Sequence, residues 1–137
     1  MKKLTVFVLA IVAMLAFGSI AANAAPNDSQ KFDSEVSLKF VQSDPTGPYD
    51  QKASAFKGQV KSTKELCEKK RKVVVRRLGE GKVGTVTTSN KGSYRVAADD
   101  PFVAGEFKAR VKKKIIEKQN GKEIICVGAK SDVIQAP

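Results

Sequence analysis

The chain of 137 residues carries 25 Lys and Arg against 14 Asp and Glu, a formal charge of +11, with two Cys and no His. A chain this short has room for one compact domain with a modest core, and not for a catalytic domain plus a recognition domain. The absence of His removes the usual Ser-His and Cys-His nucleophile arrangements and, with only two Cys, the usual zinc site.

Met1 is followed by Lys2 and Lys3, an apolar run from Leu4 to about Ile20, and the small-residue pattern Ala22, Asn23, Ala24. This is the pattern of a cleavable secretion signal covering residues 1–24. Cleavage after Ala24 takes 24 of the 137 residues away and leaves 113, and it removes Lys2 and Lys3, so +11 becomes +9. The apolar run is too short and wrongly flanked for a stable span, and no second one follows, so the mature chain is expected without a transmembrane segment. An exported chain with an even Cys count usually pairs them, so Cys67 and Cys126 are expected to form one disulfide.

Ala25 to Ser34 is small and polar without periodicity, and reads as a flexible leader; residues 35–137 form the expected domain. From Glu35 to Val41, Val36, Leu38 and Phe40 alternate with Ser37 and Lys39, the period of a half-buried strand. Ser43-Asp44-Pro45-Thr46-Gly47-Pro48 breaks regular structure, and a polar loop runs to about Ser54. Phe56, Gly58 and Val60 alternate with Lys57, Gln59 and Lys61 as a second strand. Lys64 to Arg71 is a charged connection carrying Cys67. Val73 to Val75 is a β-branched strand, Gly79 to Lys82 a turn, and Val83 to Thr88 a strand. Ser89 to Gly92 turns the chain into Tyr94 and Val96, and Asp99-Asp100-Pro101 closes that strand. The two carboxylates are adjacent, so an extended chain points them to opposite faces, which suits turn capping rather than paired acid-base work.

Phe107, Ala109 and Val111 alternate with Lys108, Arg110 and Lys112 in the clearest strand of the chain. Asn120-Gly121 is the preferred pair for a two-residue hairpin turn, which sets Lys118 opposite Glu123, Ile115 opposite Cys126 and Ile116 opposite Ile125. About seven short strands with turn signals between them, and no amphipathic helical stretch, predict an antiparallel β-sandwich.

Phe56-Lys-Gly-Gln-Val-Lys-Ser, Cys67, the basic strand through Val75 and Gly84-Thr-Val-Thr-Thr-Ser-Asn-Lys-Gly-Ser-Tyr94 together resemble secreted bacterial transthyretin-like domains. These are immunoglobulin-like sandwiches related in shape to the regulatory domain of carboxypeptidases. The resemblance covers Glu35 to Ala129 and rests on Thr88, Gly92 and Tyr94, the strand start at Gly105 to Phe107, and the two Cys. It implies the fold and a role in adhesion, polymer binding or scaffolding, and it carries over no catalytic residue. Gly92 would take a positive φ in the turn, and Tyr94 would re-enter the core with its hydroxyl at the rim.

No Gly-x-Ser-x-Gly elbow, phosphate-cradling loop or calcium-loop spacing occurs, so neither an enzyme nor a cofactor or metal is expected. The positive signal is basic. Lys108, Arg110 and Lys112 share one strand face at about 6.5–7 Å intervals, a ladder that matches a regularly charged polymer. Lys57 and Lys61 give a second ladder. Lys69, Lys70, Arg71, Lys72, Arg76 and Arg77 cluster near Cys67, and Lys113 and Lys114 extend the first ladder. The expected partners are an anionic envelope polymer, an acidic glycan or an anionic lipid surface, in a periplasm or an extracellular medium; a merely solvated basic face is the alternative. Few aromatics accompany the charge, which disfavours nucleic acid read by stacking.

Ile115, Ile116, Ile124 and Ile125 make the last hairpin apolar on both faces, so something must cover it. Either one face joins the core and the other lies under the leader or the Ser43 to Ser54 loop, or the hairpin is a surface for a protein partner. The second case makes the chain a secreted inhibitor or assembly partner, with strand addition at a sheet edge as one mode of contact.

Overall fold

The computed structural model describes residues 29–42, 46, 54–98, 104–118 and 121–137. The expected signal with its cleavage site, the Asp99-Asp100-Pro101 stop and most of the Ser43 to Ser54 loop lie outside them. The described chain is all-β. Its strands are β1 (Gln30–Phe32), β2 (Ser34–Val36), β3 (Lys39–Val41), β4 (Ala55–Ser62), β5 (Lys72–Arg77), β6 (Gly81–Thr87), β7 (Ser93–Ala97), β8 (Gly105–Val111), β9 (Lys114–Glu117), β10 (Glu123–Cys126), β11 (Ala129–Lys130) and β12 (Ile134–Ala136), with a 3-10 turn at Glu65–Cys67. No helix among the described residues is long and apolar enough to cross a membrane.

Two antiparallel sheets form a sandwich. The back sheet centres on β4, with β7 on one edge and β2 and β3 on the other. β2 and β3 hold the same register on β4, Val36 opposite Val60 and Lys39 opposite Lys57, so they are the one predicted strand interrupted at Ser37–Leu38. The interruption has a cause. The Tyr94 hydroxyl donates to the Ser37 carbonyl, and the Ser37 hydroxyl takes the Gln59 N–H that a regular ladder would send to a backbone carbonyl. The front sheet runs β6, β5, β8, with β11 and β12 in succession along the far edge of β8.

The core between the sheets is what the period of two selects: Val36, Leu38, Phe56, Val60, Tyr94 and Val96 from the back, Val73, Val75, Phe107, Ala109 and Val111 from the front. Phe56 and Phe107 meet at its centre with ring centroids 4.5 Å apart. Gly58 has no side chain because the Tyr94 ring crosses it; a Cβ there would come within 2.4 Å of the Tyr94 hydroxyl oxygen. Tyr94 re-enters the core as expected, at 5% exposure, with its hydroxyl on the Ser37 carbonyl. Gly92 does adopt the expected positive φ, 76°, with the Val60 carbonyl against its Cα.

A third sheet corrects two expectations. The expected flexible leader is ordered at its end, since β1 pairs in parallel with β10 and Ser34 already begins β2. The hairpin pairs one residue away from the predicted register: Ile124 faces Ile116, Ile125 faces Ile115, and Glu123 faces Glu117 rather than Lys118. Lys118 N–H donates to the Lys122 carbonyl and Gly121 N–H to the Lys118 carbonyl, with Gly121 at φ 72°, the bonding of a three-residue loop closed by glycine. Because side chains alternate, the slip chooses the faces. Ile116 and Ile124 now share the side of Cys126 and pack with Phe32 and Cys67 into a small second core.

Cys67 and Cys126 are joined, with 5.2 Å between their Cα atoms. The bond fixes the third sheet to the connection ahead of β5. Closing a loop of 59 residues restricts the unfolded chain by roughly 4 kcal/mol in the loop-entropy model.

Candidate polyanion-binding face

The outer side of the front sheet gathers cations from four strands. β8 supplies Lys108 and Arg110, with Lys112 just past its end; β5 supplies Arg76 opposite Lys108 and Lys72 beside Lys112; β6 supplies Lys82 opposite Arg76; and β11 supplies Lys130 opposite Arg110. The Lys112 N–H to Lys72 carbonyl bond, 3.0 Å, carries the β5–β8 ladder to this end. Of these seven side chains only Lys108 is half-buried; the others are exposed. Glu106 is the one carboxylate in the strand positions of this face, and none of the seven cations enters an ion pair among the described residues.

Strand geometry spaces the charges about 6.5–7 Å apart along β8 and about 4.8 Å between strands. Val74 lies among them on the outward phase of β5 yet is only 7% exposed. At one corner, Arg110, Lys113 and Lys130 border a groove of about 470 Å³ beside Gly128, where a Cβ would stand 3.0 Å from the Val111 carbonyl oxygen. No aromatic side chain occupies a strand position of this face, so it offers charge and threonine hydroxyls (Thr85, Thr87) but no stacking platform.

The other predicted cations go elsewhere. Lys57 and Lys61 lie on the outer side of the back sheet, across the core from the β8 ladder, with Lys61 opposite Glu35 and Lys57 between Lys39 and Arg95. Lys69 pairs with Glu65 at 2.6 Å, which holds the Glu65 carboxyl below its usual range. Lys70 is exposed at φ 48° in the turn after Cys67, and Lys114 reaches back to the Lys69 and Lys70 carbonyls instead of extending the ladder. Arg77 pairs with Glu80 at 2.6 Å.

Arg71 is a correction. It is fully buried, so it is not a surface cation. Its Nη1 donates to the Ser34 hydroxyl and the Cys67 carbonyl, and its Nη2 to the carbonyls of Lys112 and Val127. Its own N–H donates to the Thr88 hydroxyl, which passes a hydrogen bond to the Glu68 carbonyl. Burial pushes the guanidinium below its ordinary value. The signal was phase: Arg71 stands two residues before Val73 and four before Val75, on the inward side of that alternation.

The hairpin residues divide. Ile124 is buried and Ile116 partly so in the second core, Ile125 is partly buried, and Ile115 is 50% exposed on β9, an outer strand of its sheet. β1, from the predicted leader, covers the far edge of β10.

No family model, curated protein or solved structure matches this chain.

Proposed function

We propose that the mature chain is a secreted, non-catalytic binding module of the cell envelope that holds an anionic polymer on the outer side of its front sheet. The observation that carries this is the gathering of Lys72, Arg76, Lys82, Lys108, Arg110, Lys112 and Lys130 on one face without a paired carboxylate among the described residues. A merely solvated surface interleaves both signs, whereas a single-sign array raises the local potential and concentrates counter-ions. Export accords with the Cys67–Cys126 disulfide, a bond of oxidising compartments.

The test is binding of the oxidised mature protein to envelope polymers, anionic vesicles and duplex DNA across a salt series. One polymer class should bind, with affinity falling steeply as salt rises, and Lys108→Glu with Arg110→Glu should abolish it. Absence of binding at low salt, or binding indifferent to those substitutions, overturns the proposal. The half-exposed Ile115 supports a second reading, a protein partner seated on the edge of β9. That association would persist at high salt and fail with Ile115→Lys.

A further inference from the structure

Of the predicted second ladder, Lys57 stands in a row on the outer side of the back sheet and Lys61 faces Glu35. On the back sheet Lys39 and Lys57 stand side by side across β3 and β4, about 4.8 Å from strand to strand. Beside the Ser37–Leu38 interruption a trough of about 540 Å³ opens between Lys39 and Lys57, with Gln59 and Ser93 among its polar walls. Glu35 is the one carboxylate in the strand positions of this face, and it sits opposite Lys61, away from the Lys39–Lys57 row.

Packed sheets lie about 10 Å apart, and side chains on both outer sides add to that thickness. The front and back cations are thus separated by more than the Debye length of about 8 Å at physiological salt, so the two fields act independently. An extended chain lying along β8 does not reach Lys39 or Lys57 through the core. We infer that the protein is ditopic: one copy holds one anionic chain on its front face and a second chain of the same polymer in the back trough, and so cross-links them. This rests on the proposed front-face binding and adds a second polymer chain to it.

The experiment is a two-step capture on the oxidised mature protein, with short-chain inorganic polyphosphate as the probe. Biotinylated polyphosphate on a sensor surface captures the protein, the excess is washed away, and fluorescent polyphosphate is offered. The expected result is recruitment of the second chain by protein that sediments as a monomer. Lys39→Glu with Lys57→Glu should weaken recruitment about tenfold or more while changing first-step capture by less than about twofold. Lys31→Glu with Lys118→Glu, the same charge change placed on the third sheet, should leave both steps intact.

Failure of the first capture overturns the front-face reading and this inference with it. Capture without recruitment overturns ditopic binding alone. So does recruitment that survives the back-face substitutions, that falls equally with the third-sheet control, or that requires a self-associated species.

Discussion

Replacing Arg71 by Met keeps most of the buried volume and removes every side-chain donor. Four hydrogen bonds disappear, three of them to the carbonyls of Cys67, Lys112 and Val127. Hydrogen bonds from a charged donor contribute about 1.5–3 kcal/mol each, but the desolvation of a buried guanidinium offsets much of that gain. What remains is the cost of the orphaned carbonyls, about 1–3 kcal/mol for each that stays dry. With one of the three reached by water after relaxation, two stay dry and the net loss is about 2–6 kcal/mol. For a domain of this size that lowers Tm by roughly 8–24 °C. Urea unfolding of the oxidised mature protein, followed by far-ultraviolet circular dichroism, measures it directly, with an unchanged m value as the check on two-state behaviour. Arg71→Lys should fall between, because an ammonium cannot span the Lys112 and Val127 carbonyls on one side and Cys67 on the other. An Arg71→Met protein within about 0.5 kcal/mol of the parent would mean that the buried guanidinium contributes no more than a surface side chain, since that is the scatter of a surface substitution.

Reducing the Cys67–Cys126 bond should cost roughly 4 kcal/mol in urea unfolding, and amide exchange should accelerate first in β10 and β1; a loss below about 1 kcal/mol would count against the bond's role. Gly92→Ala should cost more than Gly79→Ala. Both sites have positive φ, but only Gly92 faces a backbone oxygen, 2.2 Å from the added Cβ, whereas nothing lies within 4 Å at Gly79. The difference in unfolding free energy, expected to exceed about 1 kcal/mol, isolates the clash from the strain, and equal losses would deny it. Burial pushes the Tyr94 hydroxyl above its usual value of 10.0. A group with a raised folded pKa stabilises fully below its unfolded pKa and loses that contribution as pH rises. Stability should therefore fall from about pH 10 upward, and less so in Tyr94→Phe. Absorbance titration checks it in a protein whose other tyrosine, Tyr49, is replaced by Phe, and ordinary phenolate formation near pH 10 while the fold persists would refute it.

Local pattern made much of the sandwich legible. The alternation of Phe56 with Lys57 and of Phe107 with Lys108 predicts β4 and β8 and their faces, because the period of a strand is a property of the backbone alone. The disulfide was legible from Cys parity together with the expected export signal. What local pattern does not contain is the pairing of distant strands. The parallel contact of Gln30–Phe32 with β10 joins segments about 94 residues apart, and nothing in either segment specifies its mate. The hairpin register failed at one residue because Asn120-Gly121 serves two loop lengths, and the choice was made by packing Ile116 and Ile124 beside the disulfide. The candidate face was half legible. Its β8 ladder and Arg76 follow from alternation, but Lys82 and Lys130 join it only through cross-strand register. Composition hid Arg71 among its neighbours in Lys69-Lys70-Arg71-Lys72, where four basic residues look alike until the inward phase of Val73 and Val75 is carried back two positions.

The buried arginine and the exposed cations are physically connected. Arg71 holds the Lys112 carbonyl, and the Lys112 N–H donates to the Lys72 carbonyl, so the end of β8 is tied both to the core and to β5. Lys112 and Lys72 head the rows of the candidate face, and their backbone positions are therefore fixed before any ligand arrives. Loops could present the same number of lysines, but each immobilised long side chain on a moving backbone adds ordering cost to binding. On a sheet that cost is confined to the side chains themselves. The arrangement thus separates two uses of basic side chains: a guanidinium buried on backbone carbonyls ties the strand ends together, and the seven cations that alternation turns outward on the front sheet enter no ion pair among the described residues.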